Sequence, residues 1–549
     1  MNARIFIAVF CVLTLLGFCR PLSAQSLSTE VYPSEEELYE AYLRGDIDYS
    51  TYLNLVEIFE AGVDSTELYL LNEIPNVNYF LRVWQEQVST LEHEQSEPVL
   101  PEIEKAKAGS AAGAITGFLR TKHSRIMDED EADRSYCYLK STLSEQWSVE
   151  GKLNRDYDNR TEFTKRALVY KSRRGPLKKI IIGNYTARYG LGVSVGYRGR
   201  LLDKGEEIAE ETSLFPVYGG FNGLYVEGKR RHDAVKWLVH YDQNQIHGLR
   251  MAALDYMKRI DRFSIEGIVL GGAFENRDTD KSYKYYQLGG CVRYASVEYD
   301  AAVEVALPRY ADNIIPAVLF EGSYSASPLH IRVSAWRYGD DYLNFTGGGR
   351  SGTQYQTVTV DSLEFEFNDR RHDQRGILLR GETELSERFT YDASLSLYGS
   401  SRFAYYMKSL IGLEYAPDGN IILRVDYRYA RDADEPETIT DHEIRLEGRS
   451  GGRCLTLRSY VGYSRDRQSR EYVSCFSRLR LQTDPLGKLE AWLNLDKINI
   501  QHGGVDYFYA YIREALPVTS YLELGVKYSY RYSTSGEQST FYLDAEASW

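Results

Sequence analysis

The sequence predicts a mainly β protein: a large antiparallel transmembrane β-barrel of about 24 strands, preceded by a small all-α N-terminal domain. Strand patterns follow one another from residue 112 to residue 549, and short turns alternate with long polar loops. The chain is also rich in tyrosine, with 46 Tyr in 549 residues. After the N-terminus, no apolar run reaches the roughly 18 residues that a membrane helix needs. Only helices and closed barrels can span a bilayer, so a membrane-spanning chain of this composition is expected to be a barrel.

Residues 1–24 have the pattern of a secretory signal peptide. Arg4 precedes an almost wholly apolar run from Ile5 to Phe18, and Ser23 and Ala24 provide small residues for cleavage. A lipid anchor on Cys19 is not expected, because the residue before it is the large Phe18. The pattern therefore predicts export of the mature chain.

Residues 30–92 are predicted to form a small helical domain, followed by a linker at residues 93–111. Ser34 and Glu37 form a capping box at the start of a first helix, and Asp48 can cap a second. The domain is strongly acidic: Glu30 to Glu104 contains 18 acidic and two basic residues, which gives −16. The rest of the chain, signal peptide aside, is neutral, so this segment carries the excess negative charge.

The stretch "VDSTELYLLNEIPNVN" resembles the helix-hairpin-helix motif of ComEA-type DNA-binding proteins. Its hairpin would consist of Pro75, Asn76, Val77 and Asn78, with asparagines where that family has glycines. The resemblance implies that backbone N–H groups of these residues contact a phosphate beside a helix N-terminus. A segment at −16 would repel a polyanion, however, so a helical packing module is the preferred interpretation and DNA binding the alternative.

The predicted strands combine an apolar face with a charged face. In "YLELGVKYSYRY", Leu524, Val526 and Tyr528 fall on one side, while Glu523, Lys527 and Arg531 fall on the other. In "IILRVDYRYA", Arg424, Asp426 and Arg428 likewise share one side. Charge of both signs recurs too often for a protein core, which indicates a wet lumen or ion-pair ladders that hold a barrel.

The connections alternate in length along this region. Short turns such as 417–420 and 517–520 are separated by long polar loops, and residues 339–374 are predicted to be one long outer excursion. Short turns on one rim and long loops on the other are typical of transmembrane barrels. An even strand number then places both chain ends on the short-turn side. A large soluble β-sandwich or propeller is the alternative.

The last strand resembles the C-terminal signal of outer-membrane barrels, which the assembly machinery reads by strand addition. Phe541, Leu543 and Trp549 fall on its apolar parity, and Trp549 ends the chain. The resemblance implies that these side chains face lipid and form a barrel-assembly signal.

A second resemblance lies in "IIIGNYTARYGLGVSVG", which is similar to a glycine-rich strand of outer-membrane barrel proteins that carry an N-terminal helix-hairpin-helix domain. The matching residues are Gly183, Tyr185, Tyr189, Gly190 and Gly192. Asn184 and Leu191 replace an Asp and a Gln of that family. The likeness implies a barrel architecture without an established activity, and its glycines are expected to relieve crowding where the strand bends.

Catalytic residues, metal ligands and cofactors are not expected. The nine histidines are scattered, and Asp340 and Asp341, which could serve a protease or bind calcium, are interpreted as solvated loop charges. Of the cysteines outside the signal peptide, Cys454 and Cys475 fit poorly as a pair, so unpaired thiols are expected. The other two are Cys137 and Cys291.

These observations predict a non-enzymatic outer-membrane barrel that acts as a pore, transporter or scaffold. Its acidic helical domain would lie in the periplasm and either plug the barrel or dock a partner. The alternative is DNA binding during uptake. The expected partners are outer-membrane lipid, the barrel-assembly machinery and a periplasmic protein.

Overall fold

The computed structural model describes residues 116–548, apart from the gaps given at the end of this paragraph. The predicted signal peptide and helical domain, with hairpin residues 75–78, lie outside the described residues, as do Asp340, Asp341, Cys454 and Trp549. The gaps are 128–132, 145, 156–160, 173–174, 186, 197–220, 244–246, 277–280, 311–312, 340–341, 343–355, 360–365, 370–372, 401–405, 419–420, 432–439, 452–454, 467–469, 484–486, 501–504, 520 and 534–535.

Twenty-four antiparallel strands form a closed barrel wall, as the sequence predicts. The wall closes where the first strand pairs with the last, from Phe118 opposite Ser548 to Ile126 opposite Thr540. Closure leaves no unpaired sheet edge, which is the condition for crossing a bilayer with strands. The strands of the wall are β1 (Thr116–Ile126), β2 (Asp133–Thr142), β3 (Trp147–Arg155), β4 (Thr161–Lys171), β5 (Leu177–Tyr185), β6 (Phe221–Arg230), β7 (Asp233–Gln243), β8 (His247–Ile260), β9 (Phe263–Asn276), β10 (Lys281–Ala295), β11 (Tyr299–Tyr310), β13 (Ala317–Ala326), β14 (Leu329–Tyr338), β17 (Gln374–Ser386), β18 (Phe389–Ser400), β19 (Tyr406–Asp418), β20 (Ile421–Arg431), β21 (Thr440–Gly451), β22 (Leu455–Asp466), β23 (Glu471–Thr483), β24 (Gly487–Asn499), β25 (Val505–Thr519), β26 (Leu522–Ser533) and β27 (Gly536–Ser548).

Three short strands add to the connections. The two-residue β12 (Asn313–Ile314) pairs with the end of β11. The strands β15 (Gln356–Thr359) and β16 (Glu366–Asp369) form a separate hairpin between β14 and β17. The connection from β14 to β17 is therefore one long excursion, as predicted.

The two faces of the wall differ as the alternating sequence requires. In β11, Val303, Val305 and Leu307 are exposed, whereas Glu304 and Ala306 between them are fully buried. An exterior of exposed apolar side chains around a closed barrel is the surface that lipid covers, so the buried parity faces the lumen. The chain is thus a transmembrane β-barrel of the outer-membrane type. Among the described residues, no helix is long and apolar enough to cross a membrane.

Short turns gather on one rim and long connections on the other. Two residues join β6 to β7 and two join β8 to β9, whereas residues 186–220 separate β5 from β6. Thr116 pairs with Thr142, which directly precedes the short turn into β3, so the chain enters the barrel on the short-turn rim. Phe541 and Leu543 are exposed on the outer face of β27, and their role in an assembly signal stays a prediction.

Among the described cysteines, Cys137 and Cys291 are free, which confirms the expectation of unpaired thiols for these two. Cys475 lies opposite Val461 on the neighbouring strand β22.

Candidate functional site in the barrel lumen

The lumen has two chemically different halves. We name the inner face of β5–β14 the filled sector, and the inner face of β17–β27 and β1–β4 the charged sector. In the filled sector the inward side chains are largely apolar and buried, which is unusual for a wide barrel whose lumen is expected to be polar. The buried apolar residues of this sector include Leu238, Leu249, Met251, Leu270, Phe274, Tyr285, Ala306, Ala317, Leu319 and Trp336.

A segment of the chain enters the lumen and packs along this apolar wall. We name residues 187–196 the inner strap. They follow the end of β5 at Tyr185, and Tyr189, Val193 and Val195 are 0% exposed. The strap contributes residues to both apolar clusters of the filled sector. It therefore supplies the core that makes an apolar inner wall stable.

Two wall carboxylates hold the strap in place. Glu304 on β11 accepts hydrogen bonds from the backbone N–H groups of Leu191 at 2.6 Å, Val193 at 3.1 Å and Ser194 at 2.8 Å. Glu266 on β9 accepts one from the N–H of Gly190 at 2.9 Å. Successive N–H groups directed at one carboxylate form an anion-binding concavity. The strap thus spans from β5 to β11, and its polar backbone is satisfied by the wall.

The glycines of the strap allow this geometry. Gly190 and Gly192 have φ angles of 54° and 89°, in the left-handed region that favours glycine. A Cβ on Gly190 would also lie 2.9 Å from a Glu304 oxygen and 3.1 Å from Cys291 Cβ. The backbone must approach the carboxylate closely to donate to it, and only glycine leaves that space.

The end of β5 is shaped by a different pair of residues. At Gly183 the backbone has a φ of 112°, and a Cβ there would lie 2.2 Å from the carbonyl oxygen of Arg166. The pairing with β4 stops at this glycine, and the next residue, Asn184, uses its side-chain oxygen to accept the N–H of Arg166 at 2.9 Å. A side chain therefore replaces the missing ladder hydrogen bond where the strand bends.

The five matched residues thus serve two structural roles. Gly183 and Tyr185 lie on β5, whereas Tyr189, Gly190 and Gly192 lie in the strap, so the interpretation of the whole motif as one strand is wrong for the last three. Tyr185 donates from its hydroxyl to the carbonyl of Val239 at 2.8 Å. Burial, with Tyr185 and Asp255 nearby, raises the pKa of Tyr189, so its phenol stays neutral.

The opposite side of the strap is held by the excursion between β14 and β17. Tyr342 is fully buried, and its hydroxyl donates to the carbonyl of Val193 at 3.2 Å. Its ring packs against Tyr338 at the end of β14, with centroids 5.1 Å apart. Lys236 on β7 adds a hydrogen bond to the carbonyl of Arg188 at 3.2 Å. The strap is therefore anchored at several points around the filled sector.

The charged sector contains networks of ion pairs beside two smaller apolar clusters on β22–β25. Arg424 on β20 contacts Asp426 at 2.7 Å, Asp392 on β18 at 2.8 Å and Glu414 on β19 at 3.8 Å. Gly412 leaves the space for this cluster, since a Cβ there would lie 2.5 Å from both Arg424 and Asp392. One guanidinium thus joins three strands through carboxylates, which suits its fan of five donors.

A second network follows the strands after β20. Glu447 accepts hydrogen bonds from Arg449 at 2.6 Å and Arg458 at 2.7 Å. Beside it, four inward rings on β22–β25 pack in a row, and cations lie over them, including Arg445 over Tyr460 at 4.0 Å. The row consists of Tyr460, Phe476, Trp492 and Tyr511. Cationic side chains thus lie over aromatic rings along the wall. This contact holds the long side chains close to the barrel wall.

The sequence patterns identified the inward charges of the charged sector, including Arg424 and Asp426, but not the carboxylates of the filled sector. Glu304 lies in the run "AAVEVALP", where a single carboxylate among apolar residues could have marked it as a buried acceptor. Among the described residues, no group of three or more His, Cys, Asp or Glu side chains could hold a metal ion.

The sequence matches no protein-family model and no curated protein. Among solved structures, the chain is similar to the siderophore receptor PirA from Pseudomonas aeruginosa, with 11% identity, a TM-score of 0.42, and 80% of each chain covered. It is also similar to the translocation pore of the P pilus usher PapC, with 12% identity, a TM-score of 0.41, and 79% of this chain and 99% of that chain covered. It is similar as well to the ferric-catecholate import receptor Fiu from E. coli K12, with 8% identity, a TM-score of 0.40, and 79% of this chain and 81% of that chain covered. The assignment of this chain as a barrel rests on its own strand pairing and surfaces.

Proposed function

We propose that this protein is a non-catalytic outer-membrane barrel that passes solute along the charged sector of its lumen, while the filled sector acts as a fixed wall. The observation that carries this proposal is the lining of the charged sector, where ion pairs such as those of Arg424 follow one another around the wall. A hydrated passage tolerates such a lining, and ion-pair ladders that only hold the barrel in shape are the alternative that conductance measurements test.

The acidic N-terminal segment closes this passage in the proposal. Short turns of bacterial barrels face the periplasm, so the chain entry at Thr116 and residues 30–92 lie on that side. Residues 30–104 carry −16, so their carboxylates can pair with individual arginines and lysines of a barrel that is neutral overall. The segment is therefore a plug that is tethered at the mouth it closes.

Single-channel conductance in planar bilayers tests both parts of this proposal. The full mature chain is compared with a chain that lacks residues 27–104, each shown to be folded by its heat-dependent gel mobility. Current from the shortened chain alone would support both the pore and the plug. Current from both chains would support the pore and exclude the plug. If neither folded chain conducts, the pore proposal is wrong and the barrel is a scaffold.

The resemblance of residues 75–78 to a helix-hairpin-helix supports DNA capture as a second candidate. Fluorescence anisotropy of a labelled duplex, titrated with each of the two chains in detergent at low salt, would test it. DNA capture requires binding by the full chain that is lost on removal of residues 27–104. Equal binding by the two chains would assign any DNA affinity to the barrel, and an absence of binding would end this candidate.

A further inference from the structure

One arc of the short-turn rim is strongly basic. It comprises residues 175–179, 229–233 and 258–262, which belong to the connections from β4 to β5, from β6 to β7 and from β8 to β9. These three regions contain two, three and three Lys or Arg residues, and their two acidic residues are Asp233 and Asp261. We name these regions the basic arc.

Four cations of the basic arc have no ion-pair partner in the part of the chain that the structure describes. These are Lys229, Arg230, Arg231 and Lys258. Asp233 instead accepts a hydrogen bond from the hydroxyl of Tyr256 at 2.8 Å. The arc therefore presents uncompensated positive charge.

Two further cations of the arc use neutral acceptors. Arg259 donates to the backbone carbonyl of Asp261 at 3.3 Å, and Arg262 donates to the Tyr294 hydroxyl at 3.4 Å. Neither contact cancels the charge of the guanidinium. The arc also contains a cavity of about 640 Å³ between its first two turns, lined by Gly175, Pro176, Lys178, Lys229, Arg230 and Arg231.

Two other turns of the same rim are more acidic. The turn from β17 to β18 includes Glu384 and Glu387 with one arginine, Arg388. The turn from β25 to β26 is flanked by Glu514 and Glu523. The basic arc is thus a localised surface and not a general property of the rim, so it can direct an acidic partner to one side of the mouth.

A strongly acidic segment of the same chain can reach this arc. Residues 30–104 carry −16, and eleven residues, 105–115, connect them to the start of β1. Eleven extended residues span up to about 36 Å, whereas the four strand spacings from β1 to β5 cover roughly 20 Å. The tether is therefore long enough, and it holds the two opposite charges at a high local concentration.

We propose that the basic arc is the docking surface for the acidic segment at residues 30–104 of the same chain. This docking proposal rests on the proposed function only in placing the acidic segment on the short-turn side. It holds whether or not the docked segment blocks ion current through the barrel. It specifies a contact at one side of the mouth, at the turns of β4–β9, instead of a contact spread through the lumen.

An anionic lipid surface is the competing occupant for the outward cations Arg230 and Lys258, whereas two other cations of the arc face inward. Lys179 lies on the inner parity, with its ammonium 5.9 Å from the centroid of the Tyr225 ring, which faces the lumen. Lys229 lies on the same inward-facing side of β6 as Phe221 and Tyr225. Lipid headgroups reach only the outer side of the rim, whereas a tethered segment at the mouth reaches both sides.

Zero-length carbodiimide cross-linking of the full mature chain tests this proposal. The reagent joins a carboxylate to an amine that it touches, and the products are mapped by mass spectrometry in neutral detergent at low salt. We expect cross-links from residues 30–104 to Lys178, Lys179, Lys229 or Lys258, with at least a fivefold loss in yield at 0.5 M salt. A variant with Lys178, Lys229, Arg230 and Lys258 all changed to Gln should reduce cross-linking at Lys179 by a similar factor, whereas the matched control Lys488→Gln should not.

Three results would overturn the proposal. Cross-links that map to Lys408, Lys488 and Lys527 instead of the arc would place the acidic segment in the charged sector and keep the proposed plug. The absence of cross-links from residues 30–104 to any barrel lysine would exclude docking on the barrel altogether. Arc cross-links that appear in neutral detergent but vanish in nanodiscs of anionic phosphatidylglycerol would assign the arc to lipid.

Discussion

The filled and charged sectors stabilise the inner face of a wide barrel in different ways. In the filled sector the strap covers an apolar wall, and its own backbone is satisfied by Glu304 and Glu266. In the charged sector, groups such as Arg424 and its carboxylates are held by one another across neighbouring strands. The first arrangement requires the lumen to be occupied, while the second tolerates water. The difference teaches that the filled half of the wall needs a covering segment, whereas the charged half is held by contacts between its own strands.

Replacement of Glu304 by Ala should have the largest effect, because it leaves three buried N–H groups of the strap without an acceptor. We expect a loss of about 3–5 kcal/mol in the free energy of unfolding, measured by urea titration in lipid vesicles. Glu304→Gln, which keeps one acceptor oxygen, should lose less. The exposed Glu298 provides the control, and Glu298→Ala should change the stability by less than about 0.5 kcal/mol.

Glu304→Ala also tests whether the strap closes the filled sector. Once released from the wall, the strap should become accessible to protease, and the conductance of the chain lacking residues 27–104 should increase. A Glu304→Ala barrel with unchanged stability and a protected strap would show that the carboxylate does not hold it.

Replacement of Arg424 by Gln should be the next largest change. It leaves Asp392, Asp426 and Glu414 together without their shared cation, at a cost of about 2–4 kcal/mol. Since the cluster lines the proposed passage, the reversal potential should also shift toward cation selectivity. Arg250 pairs with Glu275 at 3.1 Å and is well exposed, so Arg250→Gln should cost at most about 1 kcal/mol and leave selectivity unchanged. Equal selectivity in the two variants would contradict a passage along the charged sector.

A methyl group at Gly190 tests how closely the strap must approach the wall. Ala at this position would need a φ of 54° and would place its Cβ 2.9 Å from a Glu304 oxygen. We expect a loss of about 1–3 kcal/mol in urea unfolding, from backbone strain and crowding. Gly267 on β9 has open space around it, so Gly267→Ala should be neutral or slightly stabilising. If the two variants unfold alike, the strap does not depend on this close contact.

The same comparison explains what the sequence could predict. The closed barrel and the long excursion follow from alternation and turn spacing, because an outward apolar and an inward polar face repeat every two residues. The path of the strap could not be predicted, since no local pattern shows that residues 187–196 leave the wall after Tyr185 and reach β11. That contact depends on which strands the closed barrel places opposite each other. Gly190 and Gly192 indicated an unusual backbone in this stretch. Its hydrogen-bond acceptor, Glu304, lies more than 110 positions further along the chain, so no local pattern connects the two.

The seam between β1 and β27 should show the smallest effect. Arg120 on β1 contacts Glu546 on β27 at 2.6 Å, but the two side chains are 24% and 37% exposed. An exposed pair of this kind contributes about 0–1 kcal/mol, and we expect Glu546→Gln to lie at the lower end. Nine backbone pairings from Phe118 to Ile126 join the same strands, so the ladder and not the ion pair holds the barrel closed. A loss above about 2 kcal/mol in urea unfolding would show instead that charge closes the wall at the seam, as it does around Arg424.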